Sequence, residues 1–126
     1  MFARAGVSDG AIEPYDFTDI DRTLAVGGAL GGKAWGRPDD RIGFAGVING
    51  ISKAHERYLN AGGIGVLVGD GKLPHPGSEY IAEAYYNWQA VRGLNVTLDY
   101  QWIANPAYNR DRGPAKIAAV RLHGAF

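Results

Sequence analysis

The stretch that decides the fold is Leu94-Asn95-Val96-Thr97-Leu98-Asp99-Tyr100-Gln101-Trp102. Leu94, Val96, Leu98, Tyr100 and Trp102 fall on one side of an extended chain. Asn95, Thr97, Asp99 and Gln101 fall on the other. Successive side chains of a strand point to opposite faces, so this run has one apolar and one polar side. The run before it, Glu79 to Val91, repeats the pattern. Tyr80, Ala82, Ala84, Tyr86, Trp88 and Ala90 oppose Glu83, Tyr85, Asn87 and Gln89. Arg92-Gly93 between the two reads as a tight turn. After the polar loop Ala104 to Ala115 comes the final run. Ala118, Val120, Leu122 and Phe126 share one face, and Ala119, Arg121, His123 and Ala125 the other.

Two environments produce such strands. A soluble β-sandwich buries the apolar face against a second sheet. A membrane β-barrel turns it towards lipid and keeps a polar lumen. Alternation alone leaves both open. Three details weigh towards the membrane. The runs have about the length that a tilted spanning strand needs. Trp, Tyr and Phe cluster near strand ends, as in an interfacial girdle. The apolar face mixes Ala and Gly freely with Leu and Val, which lipid tolerates better than a close-packed core does.

Earlier in the chain, Ala3, Ala5 and Val7 alternate with Arg4, Gly6 and Ser8. Ile20 to Gly32 carries Leu24, Val26 and Leu30 on one face. Gly36 to Asp40 has the Pro and Asp chemistry of a turn. Ile42 to Asn49 places Phe44 and Ile48 with Ile42. Ser52 is placed to cap a short helix through Lys53 to Asn60, ended by Gly62-Gly63. Connections after the second and fourth strands are short, and the others longer. In outer-membrane barrels the short turns are periplasmic and the long loops external.

Composition narrows the function. The 126 residues carry 13 basic and 13 acidic side chains. That balance excludes the basic excess of a nucleic-acid binder. There is no cysteine, so disulfide and thiolate chemistry are excluded. The 19 glycines are a high share. No apolar run is long enough for a transmembrane helix. Met1-Phe2-Ala3-Arg4 does not open a signal peptide, which calls for a basic segment followed by an apolar one. On the membrane-barrel reading, which requires such a leader, the expectation is a C-terminal fragment, residues 1–126, of one barrel domain from a longer precursor.

Sites of chemistry are sparse. Glu79, Glu83 and Asp99 are carboxylates, but any lumen wall carries such groups. His55, His75 and His123 lack metal-ligand spacing, and no metal or cofactor is expected. The acidic run Asp9 to Asp19 lacks the spacing of an EF-hand. Gly65 to Lys72 fails the phosphate-loop frame, because Val66 and Leu73 stand where Gly and Ser or Thr are needed. The polar faces are the candidate site. Arg4, Glu83, Asn87, Asp99, Gln101, Arg121 and His123 are read as lumen residues along a solute path, with Gln89 and Asn95 beside them.

Several segments resemble one family in order and spacing. They are Phe2-Ala3-Arg4-Ala5-Gly6, Trp35-Gly36-Arg37-Pro38-Asp39-Asp40, Asn49-Gly50-Ile51-Ser52, Gly69-Asp70-Gly71, Tyr85-Tyr86 and Leu98-Asp99-Tyr100-Gln101. Asn105-Pro106-Ala107-Tyr108-Asn109-Arg110-Asp111-Arg112-Gly113-Pro114 is the most specific; Arg121-Leu122-His123 and terminal Phe126 complete the set. Together they resemble the C-terminal part of carbohydrate-selective porins of the OprB type. The resemblance implies an all-β transmembrane antiparallel barrel, with about six C-terminal strands here of about sixteen. It implies a non-enzymatic pore in the bacterial outer membrane that passes small sugars, monosaccharides such as glucose, by passive diffusion. Outer-membrane lipid and the assembly machinery are then partners, with Phe126 as the assembly signal, and homo-oligomers are open to it. Arg110, Asp111 and Arg112 read as a self-satisfying cluster in an architectural loop.

Overall fold

The computed structural model describes residues 1–11, 19–65 and 71–125. Its strands are β1 (Phe2–Val7), β2 (Arg22–Gly31), β3 (Arg41–Gly50), β4 (Glu79–Val91), β5 (Leu94–Ala104) and β6 (Ala115–Gly124). One helix, α1 (Lys53–Asn60), lies between β3 and β4. All six strands form one sheet in chain order, and every neighbouring pair is antiparallel. Among the described residues β1 and β6 each pair on one side only, so this sheet is not closed.

Period-two polarity fixes which way each strand faces, because a one-residue slip would exchange the two faces. The register keeps like with like. Leu24 opposes Ile48, Ile48 opposes Tyr80, Tyr86 opposes Leu98, and Leu98 opposes Val120. The result is an apolar face on which no other described element packs. Leu24, Phe44, Leu98, Val120 and Leu122 are all exposed, Val120 at 67% and Leu122 at 71%. A water-soluble monomer rarely shows a contiguous apolar surface of this extent. A sandwich would have covered it, and the described residues contain no second sheet.

The pattern slips at one place. Gln89 pairs with Asn95, but the next pair is Val91 with Leu94. This bulge turns Val91 outward, exposed at 61%, where simple alternation places Ala90. An extra residue in one strand of a pair reverses the facing of the residues beyond it. The turn after the bulge depends on Gly93, at φ 84°. A Cβ there would lie 2.6 Å from the Ala125 carbonyl oxygen.

The buried apolar cluster is small and lies outside the sheet: Ile51, Leu59, Leu73 and Tyr108. It belongs to the long connections, all of which leave the same end of the sheet. Ser52 caps α1 by accepting from the His55 amide at 3.1 Å, as its position before the helix predicts. Asp21 then accepts from the Ser52 amide at 2.7 Å and contacts His55 Nδ1 at 3.1 Å. His55 Nε2 is 3.8 Å from Asp19.

Candidate functional site

Register sorts the polar face into rows. The row nearest mid-height runs Ala29, Gly43, Tyr85, Asp99, Ala119. One step towards the short turns lie Arg41, Asn87, Thr97 and Arg121. One step towards the long loops lie Ala45, Glu83, Gln101 and Ile117. Of the residues expected along the lumen, Glu83, Asn87, Asp99, Gln101 and Arg121 line one open cavity of about 790 Å³. Arg4 and His123 point to the same face but do not line that cavity. Arg4 sits two strands away, opposite Ala25 on β2, and His123 lies opposite Asn95, near the short-turn end. Phe126 lies outside the described residues.

Hydrogen bonds knit this face across strands. Asn87 donates to Thr97 Oγ1 at 2.7 Å, and Asn95 donates to Asn87 Oδ1 at 2.8 Å. Gln101 donates to Glu83 at 3.3 Å. Glu83 and Asp99 are in electrostatic contact, with Arg121 as the nearby positive charge. Charges on one sheet face persist where they meet water or one another, and here Glu83, Asp99 and Arg121 meet one another. Arg41 and Asp39 also line the cavity, and neither was among the residues expected there. Arg41 had a signal: it stands two residues before Gly43 and so shares its face.

At the long-loop end a second chain of bonds crosses three strands. Thr23 donates to Asn49 at 2.9 Å, Asn49 to Glu79 at 3.3 Å, and the Ala107 amide to Glu79 at 3.1 Å. The Asn105–Pro114 loop is pinned there. Asn105 donates to the Ser78 carbonyl at 2.9 Å, and the Gly77 amide to the Tyr108 carbonyl at 2.8 Å. Ala107 and Tyr108 adopt left-handed backbone, φ 55° and 62°, at a cost of about 1–2 kcal/mol each. Burial of Tyr108 offsets it, and that burial, with Glu79, Asp19 and Asp21 nearby, raises the phenol well above its usual pKa. The cluster Arg110, Asp111 and Arg112, read as satisfying itself, also reaches outside the loop. Asp111 contacts His75 Nδ1 of the preceding loop at 3.0 Å, while Arg110 packs against Gly77. A local charge pattern does not reveal a partner 36 residues away.

The short turn between β2 and β3 is held differently. Buried Asp40 accepts from Arg37, from the Tyr86 hydroxyl and from the Gln89 amide, while Arg37 lies 5.9 Å from the Trp88 ring centre. The Arg37 bond above all, with Tyr86 and Gln89, holds Asp40 at a pKa of about 2, against an ordinary 3.8. A lowered pKa stabilises the fold above the ordinary value, and the effect fades as pH falls through the lowered one. The turn is therefore expected to stay intact at pH 4 and to loosen towards pH 2. Fluorescence of Trp35 and Trp88 followed from pH 6 to 2 checks this. Asp40→Asn should remove that acid transition.

Comparison with known proteins agrees with this geometry. The family model described as carbohydrate-selective porin, OprB family, matches residues 1–126. Comparison with the curated proteins gives no match. Among solved structures, a high-pH structure of Pseudomonas putida OprB is similar, with a TM-score of 0.68 and 27% identity. The alignment covers 86% of this chain and 27% of that one, so the chain matches about a quarter of that structure. An apolar face left open by the described residues, a hydrogen-bonded polar face behind it and a match along the whole chain lead to one conclusion: the chain belongs to the OprB family of carbohydrate-selective porins, proteins of the bacterial outer membrane.

Proposed function

We propose that these six strands form the C-terminal share of a larger outer-membrane barrel, and that its lumen passes small sugars such as glucose by diffusion. The observation that carries this reading is the polar face. It holds amides, carboxylates and arginines in register along β3 to β6, against a face that is apolar except for Lys116 at the long-loop end. Sugar hydroxyls both donate and accept, so a wall mixing these groups exchanges bonds with them along a path. Conduction needs binding that is weak and repeated. Among the described residues β1 and β6 each have one free edge, and in lipid such an edge calls for a further strand, because each unsatisfied backbone group costs several kcal/mol there. In this reading the short turns face the periplasm, the long loops face outward, and Phe126 is read by the assembly machinery.

Arg121 is the test residue. In planar bilayers, Arg121→Ala in the full-length protein should weaken sugar block of the ion current several-fold. It should also shift ion selectivity towards cations, since a positive charge leaves the wall. A selectivity shift with unchanged block would make Arg121 a brace of the wall. A wild-type channel that no sugar blocks would overturn the sugar path.

A further inference from the structure

We propose that Tyr85 is a stacking platform for the apolar face of a pyranose ring and sets which sugars the wall retains; this rests on the sugar path proposed for the lumen. Tyr85 stands midway along β4, in the row closest to mid-height, and lines the cavity. Its neighbour across the pair is Gly43. A Cβ added at Gly43 would collide with Tyr85 Cε1 and Cζ and come within 2.6 Å of the hydroxyl oxygen. The far half of the ring therefore lies over the glycine, in space that any other residue would fill. That half of the ring lies against the Gly43 position, and Tyr85 as a whole is half-buried, so part of it stays open to the cavity it lines. Glycine flanks the ring on the β3 side and Asp99 on the β5 side; beyond them the row continues with the small residues Ala29 and Ala119.

The surroundings complete a sugar subsite. Residues two positions apart along a strand are about 6–7 Å apart. Glu83 with Gln101 therefore stands one step above the ring, and Asn87 with Arg121 one step below. A pyranose with equatorial hydroxyls has an apolar C–H face and a rim of polar groups. Laid on Tyr85, it puts C–H bonds against the electron-rich ring face and its rim within reach of both polar rows. An acyclic hexitol has comparable hydroxyls and no flat C–H face. The platform thus discriminates by shape where the polar rows alone would not.

The alternative role for Tyr85 is to cover the gap at Gly43 and stiffen the sheet, as aromatics do across from strand glycines. Current block by glucose and by an acyclic hexitol, measured on the full-length porin in planar bilayers, separates the two. The wild type should favour glucose. Tyr85→Phe should keep that preference, and Tyr85→Leu should reduce it roughly threefold to tenfold. Gly43→Ala retains every polar group but displaces the ring, so it should lose the preference too; it keeps the test open should Tyr85→Leu fail to assemble. An unchanged glucose preference in the assembled variants overturns the platform alone. Absence of glucose block in the wild type overturns the sugar path and the platform with it.

Discussion

Val120→Arg should sharply reduce the amount of assembled barrel, while Arg121→Leu, one residue along, should assemble normally. Val120 is 67% exposed on the apolar face and pairs with Leu98 near the middle of β5. An arginine facing lipid at that depth costs about 2–4 kcal/mol. Arg121 opposes Thr97 on the polar face, and leucine there exchanges one water-facing side chain for another. Heat-modifiable gel mobility of the full-length protein scores both variants. Similar losses from the two would count against this assignment of the faces of β6, and normal assembly of Val120→Arg would reverse it.

Leu59→Ala should loosen the long-loop end without unfolding the barrel. Leu59 is fully buried in the cluster with Ile51, Leu73 and Tyr108. Removing a buried leucine side chain costs about 2–5 kcal/mol, more than a few loop contacts hold in reserve. The sheet is stabilised separately by its own ladders, so heat-modifiable mobility should stay normal. Cleavage of the Ile51–Ser78 connection by added protease should rise, and the open-channel current should become noisier. Lys53→Ala is the control. Its side chain is 82% exposed, and its pair with Glu56 is a surface pair of small worth. Equal cleavage of the two variants would count against the cluster as the clasp of these loops.

Much of the sheet was legible because lipid on one side and water on the other impose a period of two on every strand. The Glu79–Val91 run appears at its expected bounds, and α1 appears where Ser52 predicts its cap. The bulge beyond Gln89 was not legible, since composition there is compatible with either register. Nor was the contact of Asp21 with His55, or of His75 with Asp111. Loop pairings have no period, and their partners are set by how three separate connections meet in space. Within the site, Glu83, Asn87, Asp99, Gln101 and Arg121 share one face by parity, which the sequence shows, and neighbouring heights by register. Arg4 and His123 share the parity but differ in strand or height, and only register supplies those coordinates. Tyr85 was visible as a member of the polar face; its use of the space above Gly43 was not, because a glycine in a sequence does not say what lies over it.

Every pairing in this sheet joins strands that are consecutive in the chain. Such a wall behaves like a fence built from identical panels, the panel being a hairpin. A duplication or loss of one hairpin leaves all remaining partners as they were, and changes the circumference by a fixed step, since barrel diameter grows roughly linearly with strand number. Pore size in this architecture can therefore drift over generations by whole hairpins, with no intermediate that must invent a new pairing. Selectivity can drift independently, by single substitutions at lumen-facing positions between two lipid-facing neighbours that need not change.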